Sequence, residues 1–561
     1  MPGTFTTWNP NPVIAQTRNI SEFATGQYAI QDLQGTADGW IKIKGDQPID
    51  VLSTTREWGF RILNCKYVIL EGITLVGGGK HGFQIDQTAE NIRFINCDIS
   101  KWGRASSKTT NKGEYIDGAG TVINNDAGIK IDRAKNIVIE RCYIHDSKAQ
   151  ANAWKGTIKT GPYQGNTYSN VHPKGPNAVF INYGKEGIVL RYNDFIGSQT
   201  HRYNDVVETA QNGAVDGGFG TNSDVYGNMF CYGQDDIIEF DGAQSNARCF
   251  GNRMEQTFCG ISVTPNMAGP SYMFNNVIWN LGDGEGNPSV AVKNGGGLAY
   301  TKGRTFFFNN TIYTTRNCIS GVGYGDTPKT ALFLATTRNN ILVSGRTPSA
   351  ARPEDSPQGS SGGDGLSISD REKNPYSDFD YDMLGNTVTT TGAGVIYATE
   401  GQEAHGIFAL PQMHDPDHGV FTLKYKDVGI DKGVVIPNFS DKYHGDAPDM
   451  GTFEMCASSL TPVRPIDIIA DKYYVKLTPG DAVQKITLYA GENAPSMPFI
   501  IRKSEDMQWL TITANATEIN PNAEIELTLS ASSAVTNYTK TGTFIVRLQD
   551  GLSIPVSVLA E

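Results

Sequence analysis

Short runs of alternating apolar and polar residues, separated by turns, recur along most of the chain. Eight of them share one order, in which a strand-like run is followed by Asn or Cys and then by two residues, the second apolar: NIRFINCDIS (91–100), NIVIERCYIH (136–145), GIVLRYNDFIG (187–197), SDVYGNMFCYG (223–233), NARCFGNRMEQ (246–256), SYMFNNVIWN (271–280), RTFFFNNTIY (304–313) and TTRNNILVSG (336–345). Alternation with a period of two predicts a strand that buries one face. Its recurrence predicts a repeat architecture.

The Asn or Cys of each run marks equivalent positions in the repeat, which are Cys97, Cys142, Asn193, Asn228, Asn252, Asn276, Asn310 and Asn340. The steps from Asn228 to Asn252 and from Asn252 to Asn276 are 24 residues each. A repeat of this length with two or three short strands is a coil of a β-solenoid, whose coils stack ~4.8 Å apart. Buried Asn side chains at that spacing can hydrogen-bond one another, so we expect a structural column without a catalytic role.

The repeat resembles the right-handed parallel β-helix proteins, the group that holds pectate lyases, polygalacturonases and phage tailspikes, over about residues 40–455. The stretch DVGIDKGVVIPNFSDKYHGDAPDMGTFE (427–454) is similar to the closing segment of many polysaccharide-degrading β-helix enzymes. The resemblance implies an all-β fold, a right-handed parallel β-helix, and a protein that acts on a carbohydrate polymer. It implies less about chemistry, because this fold hosts many functions.

Four segments are predicted along the chain. Residues 1–45 form an N-terminal cap, residues 46–345 the β-helix, and residues 346–465 a polar loop and the segment that closes the helix. Residues 466–561 contain short alternating strands such as QKITLYA, AEIELTLSA and SIPVSVLA, which predict a small immunoglobulin-like β-sandwich. This sandwich resembles the BACON type of carbohydrate-associated module, and either a binding role or a spacer or oligomerisation role fits it.

Composition narrows the partners of the protein. The 62 Gly and 26 Pro suit a β-rich chain with many turns, and the net charge of −12 argues against nucleic acid as a partner. No run approaches the ~18 apolar residues that insertion into a membrane requires. The sequence starts without a secretory signal, so we expect either a virion protein or a trimmed secreted protein, located outside the cell or on a virion surface. The eight Cys are interpreted as reduced core residues.

A second strand recurs in the coils, as HGFQID (81–86), AGIKID (127–132), AVFIN (178–182), NDVVE (204–208), DDIIEFD (235–241) and CGISVT (259–264). Alternation points one set of side chains inward and leaves two outward columns. The first column holds Gln84, Lys130, Phe180, Glu208, Glu239 and Ser262. The second column holds Asp86, Asp132, Asn182, Asp241 and Thr264.

Candidate catalytic residues come from the alignment of NDVVE with DDIIE. It predicts that Glu208 and Glu239 lie one coil apart on the same face, with Asp205 and Asp236 a turn away and Asp241 in the neighbouring column. Like charges at ~5 Å repel, so one carboxyl should keep its proton near neutral pH. Stacked carboxylates cost stability and are the raw material of acid–base catalysis.

Two long insertions, residues 146–177 and 199–222, flank this face and predict the walls of a cleft. Expected substrate-binding residues are Lys130, Asp132, His201, Arg202 and, for stacking on sugar rings, Trp154. A glycoside hydrolase needs two of the carboxyls. A polysaccharide lyase needs a cation and a base, which Lys130, His201 and Arg202 could supply, while the Asp cluster could hold Ca²⁺. The metal ligands themselves stay open, and so does the choice between the two reactions.

Polygalacturonases carry a comparable pair of aspartates, but their Gly-His-Gly and Arg-Ile-Lys elements are absent here. Two function classes therefore remain. The first is a polysaccharide depolymerase, by hydrolysis or elimination, of which the tailspike type is usually a homotrimer. The second is a non-catalytic virion structural, decoration or adhesion protein that uses the β-helix as a rigid display surface and contacts other virion proteins. A cleft with convergent acids around Glu208 and Glu239 would favour the first, and a flat solvated face the second.

Overall fold

The computed structural model of the chain describes residues 9–295, 303–321, 334–345, 365–370, 373–388, 395–455, 464–532 and 540–561. Among them, three long sheets of twelve strands each dominate, and every neighbouring pair of strands within these sheets is parallel. The chain visits the three sheets in turn, once in each coil. This arrangement is the predicted parallel β-helix.

Sheet 1 lies before the Asn/Cys turn of each coil and consists of Ile14–Asn19, Trp40–Lys44, Lys66–Glu71, Glu90–Ile95, Lys135–Glu140, Ile188–Arg191, Asp224–Tyr226, Ala247–Phe250, Ser271–Phe274, Thr305–Phe308, Ala335–Arg338 and Asp378–Phe379. Sheet 2 follows that turn and consists of Ile49–Val51, Thr74–Gly77, Asp98–Ser100, Tyr143–His145, Asp194–Ile196, Met229–Cys231, Arg253–Glu255, Val277–Trp279, Thr311–Thr314, Ile341–Ser344, Met383–Asn386 and Ile407–Phe408.

Sheet 3 contains the second strand predicted for the coils. It consists of Ala29–Gln31, Trp58–Leu63, His81–Ile85, Ala127–Asp132, Asn177–Asn182, Val207–Ala210, Ile238–Glu239, Ile261–Val263, Val292–Asn294, Ile319–Gly321, Ile368–Ser369 and Ile396–Tyr397. Its inward side chains, such as Phe83, Ile129, Ile238 and Ile261, belong to the continuous apolar core of the solenoid. The inward and outward assignment made from alternation is therefore confirmed for this sheet.

The turn between sheets 1 and 2 contains the predicted column of buried Asn side chains, here called the Asn ladder (Asn193, Asn228, Asn252, Asn276, Asn310 and Asn340). Each side-chain Nδ2 donates to the Oδ1 of the next ladder residue at 2.9–3.0 Å, and the last donates to Asp382 Oδ1 at 2.7 Å. Each Nδ2 also donates to a backbone carbonyl of the preceding coil, as Asn252 does to Val225 at 2.9 Å. The ladder therefore satisfies polar groups that burial would otherwise penalise.

Later segments of the chain, around residues 413–453 and in the C-terminal region, pack on the outer face of sheet 2. Met413 and Phe421, from the hairpin formed by Met413–Asp415 and Val420–Leu423, pack with Met450 and Phe453 on apolar side chains of this sheet that include Trp279. The described residues also contain two antiparallel two-stranded sheets, Lys108–Thr109 with Tyr115–Ile116 and Gly156–Thr157 with Thr167–Tyr168, and three short 3₁₀ helices, Ile20–Phe23, Pro416–His418 and Glu505–Met507.

The C-terminal region forms a β-sandwich of two sheets. The four-stranded sheet is antiparallel, in the order Ile468–Ala470, Val483–Ala490, Glu524–Ala531, Leu510–Ala514. The five-stranded sheet has the order Tyr474–Leu477, Ser553–Ala560, Lys540–Leu548, Met497–Lys503, Glu518–Ile519. Its relation to BACON or immunoglobulin modules stays a prediction.

The β-sandwich packs on sheet 2. Arg464 Nη2 lies 2.9 Å from Asp194 Oδ1, and both side chains are almost fully buried. Ile545 of the sandwich packs against Tyr143, Ile196 and Met229 of the β-helix.

The parallel sheets extend beyond both boundaries predicted for the β-helix. They begin with Ile14–Asn19, which pairs with Trp40–Lys44 inside the segment predicted as a cap, because residues 1–45 already contain alternating strands. They continue past residue 345 to Ile407–Phe408, inside the segment predicted as loop and closing region. The part of the chain that the structure describes contains no helix long and apolar enough to span a membrane.

Candidate functional site

The outer face of sheet 3 brings the predicted carboxyls together. Val207 pairs with Ile238, so Glu208 and Glu239, the next residue in each strand, occupy adjacent coils of one column. Lys130 and Phe180 precede Glu208 in this column, and Ser262 and Lys293 follow Glu239. The predicted column is therefore present. We call Asp205, Glu208, Asp236, Glu239 and Asp241 the acidic cluster.

One amide bridges two members of the acidic cluster. Asn204 Nδ2 donates to Asp205 Oδ2 at 2.9 Å and to Glu208 Oε2 at 3.0 Å. The other oxygen of Asp205 accepts the backbone N–H of Asp236 at 2.8 Å. These bonds connect successive strands of sheet 3 and hold Asp205, Glu208 and Asp236 in one group.

Lys293 supplies a cation to the acidic cluster. Its Nζ lies 2.6 Å from Asp236 Oδ2, and both side chains are buried. Strand Val292–Asn294, which carries Lys293, lies two coils beyond Glu239. The ion pair offsets part of the cost of burying Asp236.

The remaining two carboxyls accept hydrogen bonds from their own surroundings. Glu239 Oε2 accepts the Thr209 backbone N–H at 3.2 Å, and Oε1 accepts Asn212 Nδ2 at 3.3 Å. Asp241 accepts the Ser262 hydroxyl at 2.8 Å and the Thr264 backbone N–H at 2.6 Å. Both side chains are buried, so this part of the face is not freely solvated.

Burial and mutual repulsion raise the pKa values of the acidic cluster. Burial, followed by the charge of Glu239, raises the pKa of Glu208 to about 8. Burial raises the pKa of Asp236 to about 6 and that of Asp241 to about 7, against the lowering effect of Lys293. The pKa values of Asp205 and Glu239 lie well above their ordinary values, first through burial and then through neighbouring carboxyls. Several protons are therefore held at neutral pH.

Accessibility separates Glu208 from the other four carboxyls. Glu208 is partly exposed, whereas Asp205, Asp236, Glu239 and Asp241 are each 2–8% exposed. A general acid must reach its substrate and carry a proton at the working pH. Glu208 meets both conditions.

The five predicted substrate-binding residues lie at different distances from the acidic cluster. Lys130 lies in the column of Glu208 with Phe180 between them, so it stands two strand spacings, ~9.6 Å, away. Asp132 lies in the second column and accepts Asn182 Nδ2 at 2.8 Å. Trp154 reaches the edge of the acidic cluster, where its Nε1 donates to Asp235 Oδ1 at 3.0 Å.

His201 and Arg202 are not brought into the acidic cluster. Arg202 is buried, and its Nη1 donates to the backbone carbonyls of Gly233, Gln256 and Gly282, so its guanidinium supports the coils. His201 follows Thr200, which donates to Asp506 of the β-sandwich, and it lies toward that domain. Alternation gave no signal for these positions because they belong to an irregular insertion.

A cavity of about 360 Å³ lies at the 146–177 insertion. This insertion forms much of its wall. The polar and aromatic side chains that line it include Tyr115, Gln150, Lys159, Tyr168 and Gln234. Gln234 directly precedes Asp235, the partner of Trp154. None of the five carboxyls of the acidic cluster lines this cavity, and its lining extends to Thr200 and Lys540 on the side of the β-sandwich. Its volume is within the range of small-ligand pockets.

The fit of Ca²⁺ to the acidic cluster is limited. Asp205, Asp236 and Glu239 each offer an oxygen, and these atoms lie within 4.8 Å of one another. Ca²⁺ takes six to eight oxygen ligands. The oxygens of Asp205 and Glu239 already accept hydrogen bonds from Asn204, Asp236, Thr209 and Asn212. The Ca²⁺ hypothesis stays a prediction.

Sequence reasoning missed Lys293, Asn204 and Asp235. Lys293 was available from the sequence, because SVAVKN continues the alternation one coil beyond CGISVT. Asn204 and Asp235 stand just before their strands, where alternation assigns no direction.

Comparison with known proteins gives distant structural neighbours only. No family model matches it, and no curated protein matches. Solved structures that it resembles include pectate lyase Pel9A (14% identity, 76% of this chain and 86% of that chain, TM-score 0.37) and an alginate lyase from Paenibacillus sp. str. FPU-7 (12%, 64% and 99%, 0.34). Another is the tailspike protein gp49 from Pseudomonas phage LKA1 (9%, 97% and 66%, 0.31). Likeness at this level assigns no activity to the chain.

Proposed function

We propose that the protein cleaves a polysaccharide by hydrolysis at the outer face of sheet 3, with Glu208 as the general acid. The observation that carries this proposal is the combination found at Glu208, a partly exposed carboxyl whose pKa is raised to about 8. A protonated carboxyl at neutral pH can donate to the glycosidic oxygen as the bond to the leaving sugar breaks.

Hydrolysis requires a second carboxyl, as base or nucleophile. A base or nucleophile must be ionised, and of the four other members of the acidic cluster Asp236, with a pKa of about 6, is ionised at neutral pH. The four also differ in their partners. Asp236 is held by Lys293, Asp241 by Ser262 and Thr264, and Glu239 by Thr209 and Asn212. Conservative variants of each, compared for kcat, would assign the role.

Substrate binding is proposed for the groove beside the acidic cluster. Tyr115 and Tyr168 line the cavity at the 146–177 insertion, and Trp154, which follows the lining residue Ala153, donates to Asp235. Aromatic faces suit the apolar faces of sugar rings, while Gln150 and Lys159 offer donors to hydroxyls or to acidic sugars. A glycan substrate also suits the proposed location of the protein, outside the cell or on a virion surface. A homotrimer and contacts with other virion proteins remain part of that proposal.

The test is incubation of the full chain with a panel of plant, algal and bacterial polysaccharides, including capsules and lipopolysaccharide. Reducing ends would report cleavage, and ultraviolet absorbance of unsaturated uronates would report elimination. We expect reducing ends without new absorbance. Products that absorb would replace hydrolysis by elimination. No product with any member of the panel, together with retained glycan binding, would support the non-catalytic display protein instead.

The variant Glu208→Gln removes the proton donor with little change in shape. We expect its kcat/KM to fall by ~10²–10⁴, the usual contribution of a general acid. Glu186→Gln, at an exposed carboxylate on a neighbouring coil, is the matched control and should keep full activity. For the unmodified chain, kcat/KM should fall as the pH rises through about 8, because Glu208 then loses its proton. Full activity of Glu208→Gln would refute the assignment.

A further inference from the structure

Asn204 lies beside the acidic cluster, and its main chain is fixed there by both neighbouring coils. Its backbone N–H donates to the Pro176 carbonyl at 2.8 Å, and its own carbonyl accepts the N–H groups of Gln234 and Asp235, both at 3.1 Å. The residue is only 3% exposed. Its side-chain amide is therefore held in one place before any substrate binds.

This amide is committed to two carboxyls. Asn204 Nδ2 donates to Asp205 Oδ2 at 2.9 Å and to Glu208 Oε2 at 3.0 Å, which uses both of its hydrogens. Asn204 Oδ1 is buried and has no hydrogen-bond partner in the part of the chain that the structure describes. An unsatisfied buried acceptor costs stability. The orientation of the amide is therefore explained by what Nδ2 does for the two carboxyls and not by a gain in folding.

The hydrogen bond from Asn204 determines which oxygen of Glu208 holds the proton. In a neutral carboxyl the carbonyl oxygen is the one that accepts an N–H, so Oε2 accepts and Oε1 carries the proton. When Oε1 gives this proton to the glycosidic oxygen, the electron pair of the breaking bond passes to that oxygen and Glu208 becomes a carboxylate. The bond from Asn204 is then charge-assisted, so it stabilises the transition state more than the ground state.

The next coil lacks such an amide. In the alignment of NDVVE with DDIIE, which the register of the strands confirms, Asn204 corresponds to Asp235 and Glu208 to Glu239. A carboxylate has no N–H to donate. Asp235 instead accepts Trp154 Nε1 at 3.0 Å. The two glutamates of the column therefore differ in the residue that supports them from their own coil.

We propose that Asn204 is a positioning residue that holds the proton of Glu208 on the oxygen that transfers it, and that the exchange of Asn204 for Asp235 in the next coil makes Glu208, and not Glu239, the acid. This inference rests on the proposed hydrolysis. Burial raises the pKa of Glu208 to about 8, and the hydrogen bond from Asn204 acts against this rise. It thereby keeps the pKa closer to neutral pH, where a general acid is most effective.

The first test compares the pH profile of hydrolysis in Asn204→Ala with that of the unmodified chain. Asn204 is buried, so kcat should fall by about 10- to 100-fold through misplacement of Glu208 while KM changes little. The alkaline fall of kcat/KM should move to higher pH by about one unit, because the Glu208 carboxylate has lost a donor. Asn204→Asp, which copies the next coil without a change of size, should move it at least as far.

The matched control is Asn520→Ala, at an exposed amide that donates to Glu518 of the β-sandwich at 3.2 Å. Its kcat, KM and pH profile should equal those of the unmodified chain. A merely structural role of Asn204 would lower the melting temperature and leave the alkaline fall in place, and this outcome would overturn the inference. A rise in KM at constant kcat would also overturn it, because Asn204 would then act on substrate binding.

A second test measures the proton on Glu208 without a substrate. The melting temperature of each chain is compared with that of the same chain carrying Glu208→Gln, and the difference is followed as the pH rises. This difference should level off near pH 8 in the unmodified chain and about one unit higher in Asn204→Ala. Cleavage of glycans with a levelling point that does not move would refute the role of Asn204 alone. No cleavage of any glycan by the unmodified chain would refute the hydrolysis and this inference with it.

Discussion

The Asn ladder and the acidic cluster are both columns of polar side chains built by the same coil repeat, yet they behave in opposite ways. An amide has a donor and an acceptor, so each ladder Asn satisfies the next at 2.9–3.0 Å. A carboxylate only accepts, so burial and the repulsion of neighbouring carboxylates raise the pKa values of Glu208 and Glu239. Repetition of a self-complementary group stabilises a solenoid, and repetition of an acceptor creates a site that holds protons.

The largest effect on stability is expected from Lys293→Met. It leaves the buried Asp236 without its cation, and breaking a buried pair typically costs ~3–5 kcal/mol. The free energy of unfolding, measured in urea at pH 8, should fall by this amount and by less at pH 5, where Asp236 is protonated. Lys130→Met, in the same column but partly exposed, should change it by under ~0.5 kcal/mol. Equal losses in the two variants would contradict the role of the ion pair.

Asn252→Asp replaces one amide of the Asn ladder by a carboxyl, the group that forms the acidic cluster. The new carboxylate cannot donate to Asn276 Oδ1 or to the Val225 carbonyl, so acceptors face acceptors. We expect a loss of ~2–4 kcal/mol in urea unfolding, from two unsatisfied buried groups. Asn246→Asp, at a solvent-accessible turn of the same coil, is the control and should be nearly neutral. A ladder variant as stable as this control would mean that the ladder bonds contribute little.

The pH dependence of stability should distinguish the two columns without mutation. A carboxyl whose folded pKa is raised binds more protons in the folded chain, so stability falls as the pH rises toward that pKa. Asp241, whose pKa is raised from 3.8 to about 7, and Glu208, whose pKa is raised from 4.5 to about 8, place the fall between about pH 4 and pH 8. His145, between Asp98 and Asp146, has a pKa of about 9 and acts in the same direction.

The melting temperature should therefore drop by several degrees across this range. In Glu208→Gln, the decrease in melting temperature that comes from Glu208 should disappear, while the decrease that comes from His145 should remain. A melting temperature that is constant or rises from pH 5 to 8 would be inconsistent with the raised pKa values.

The smallest effect is expected from Glu239→Gln, which makes the acidic cluster resemble the ladder. A Gln amide can keep the Thr209 bond through its oxygen and donate to Asn212 Oδ1, which is buried and has no partner among the described residues. Removal of one repelling charge should stabilise the chain by about 1 kcal/mol at alkaline pH, and by less at acidic pH. Destabilisation at pH 9 would show that the Glu239 carboxylate is held by attractive contacts instead.

The sequence predicted both columns because similar strands recur along the chain, with 24-residue steps from Asn228 to Asn252 and Asn276, and because side chains alternate with a period of two along each strand. The pairing of Glu208 with Glu239 followed from the alignment of NDVVE with DDIIE and is confirmed by the register. The residues that surround the acidic cluster could not be predicted from the alternation of the strands. Arg202 lies in an irregular insertion, and its burial on three carbonyls depends on how neighbouring coils stack.

The ladder also has a direction. Every Nδ2 points toward the next coil, so the amide dipoles add along the axis and the stack is electrically polar. Asp382 accepts from Asn340 at the far end through Oδ1, and its Oδ2 accepts the Thr337 hydroxyl, so both oxygens act as acceptors and no amide N–H is left for a further rung. The Asn ladder therefore ends at Asp382. Duplication of a coil can therefore lengthen this protein on the N-terminal side of Asp382, while growth beyond it would require a different residue at that position.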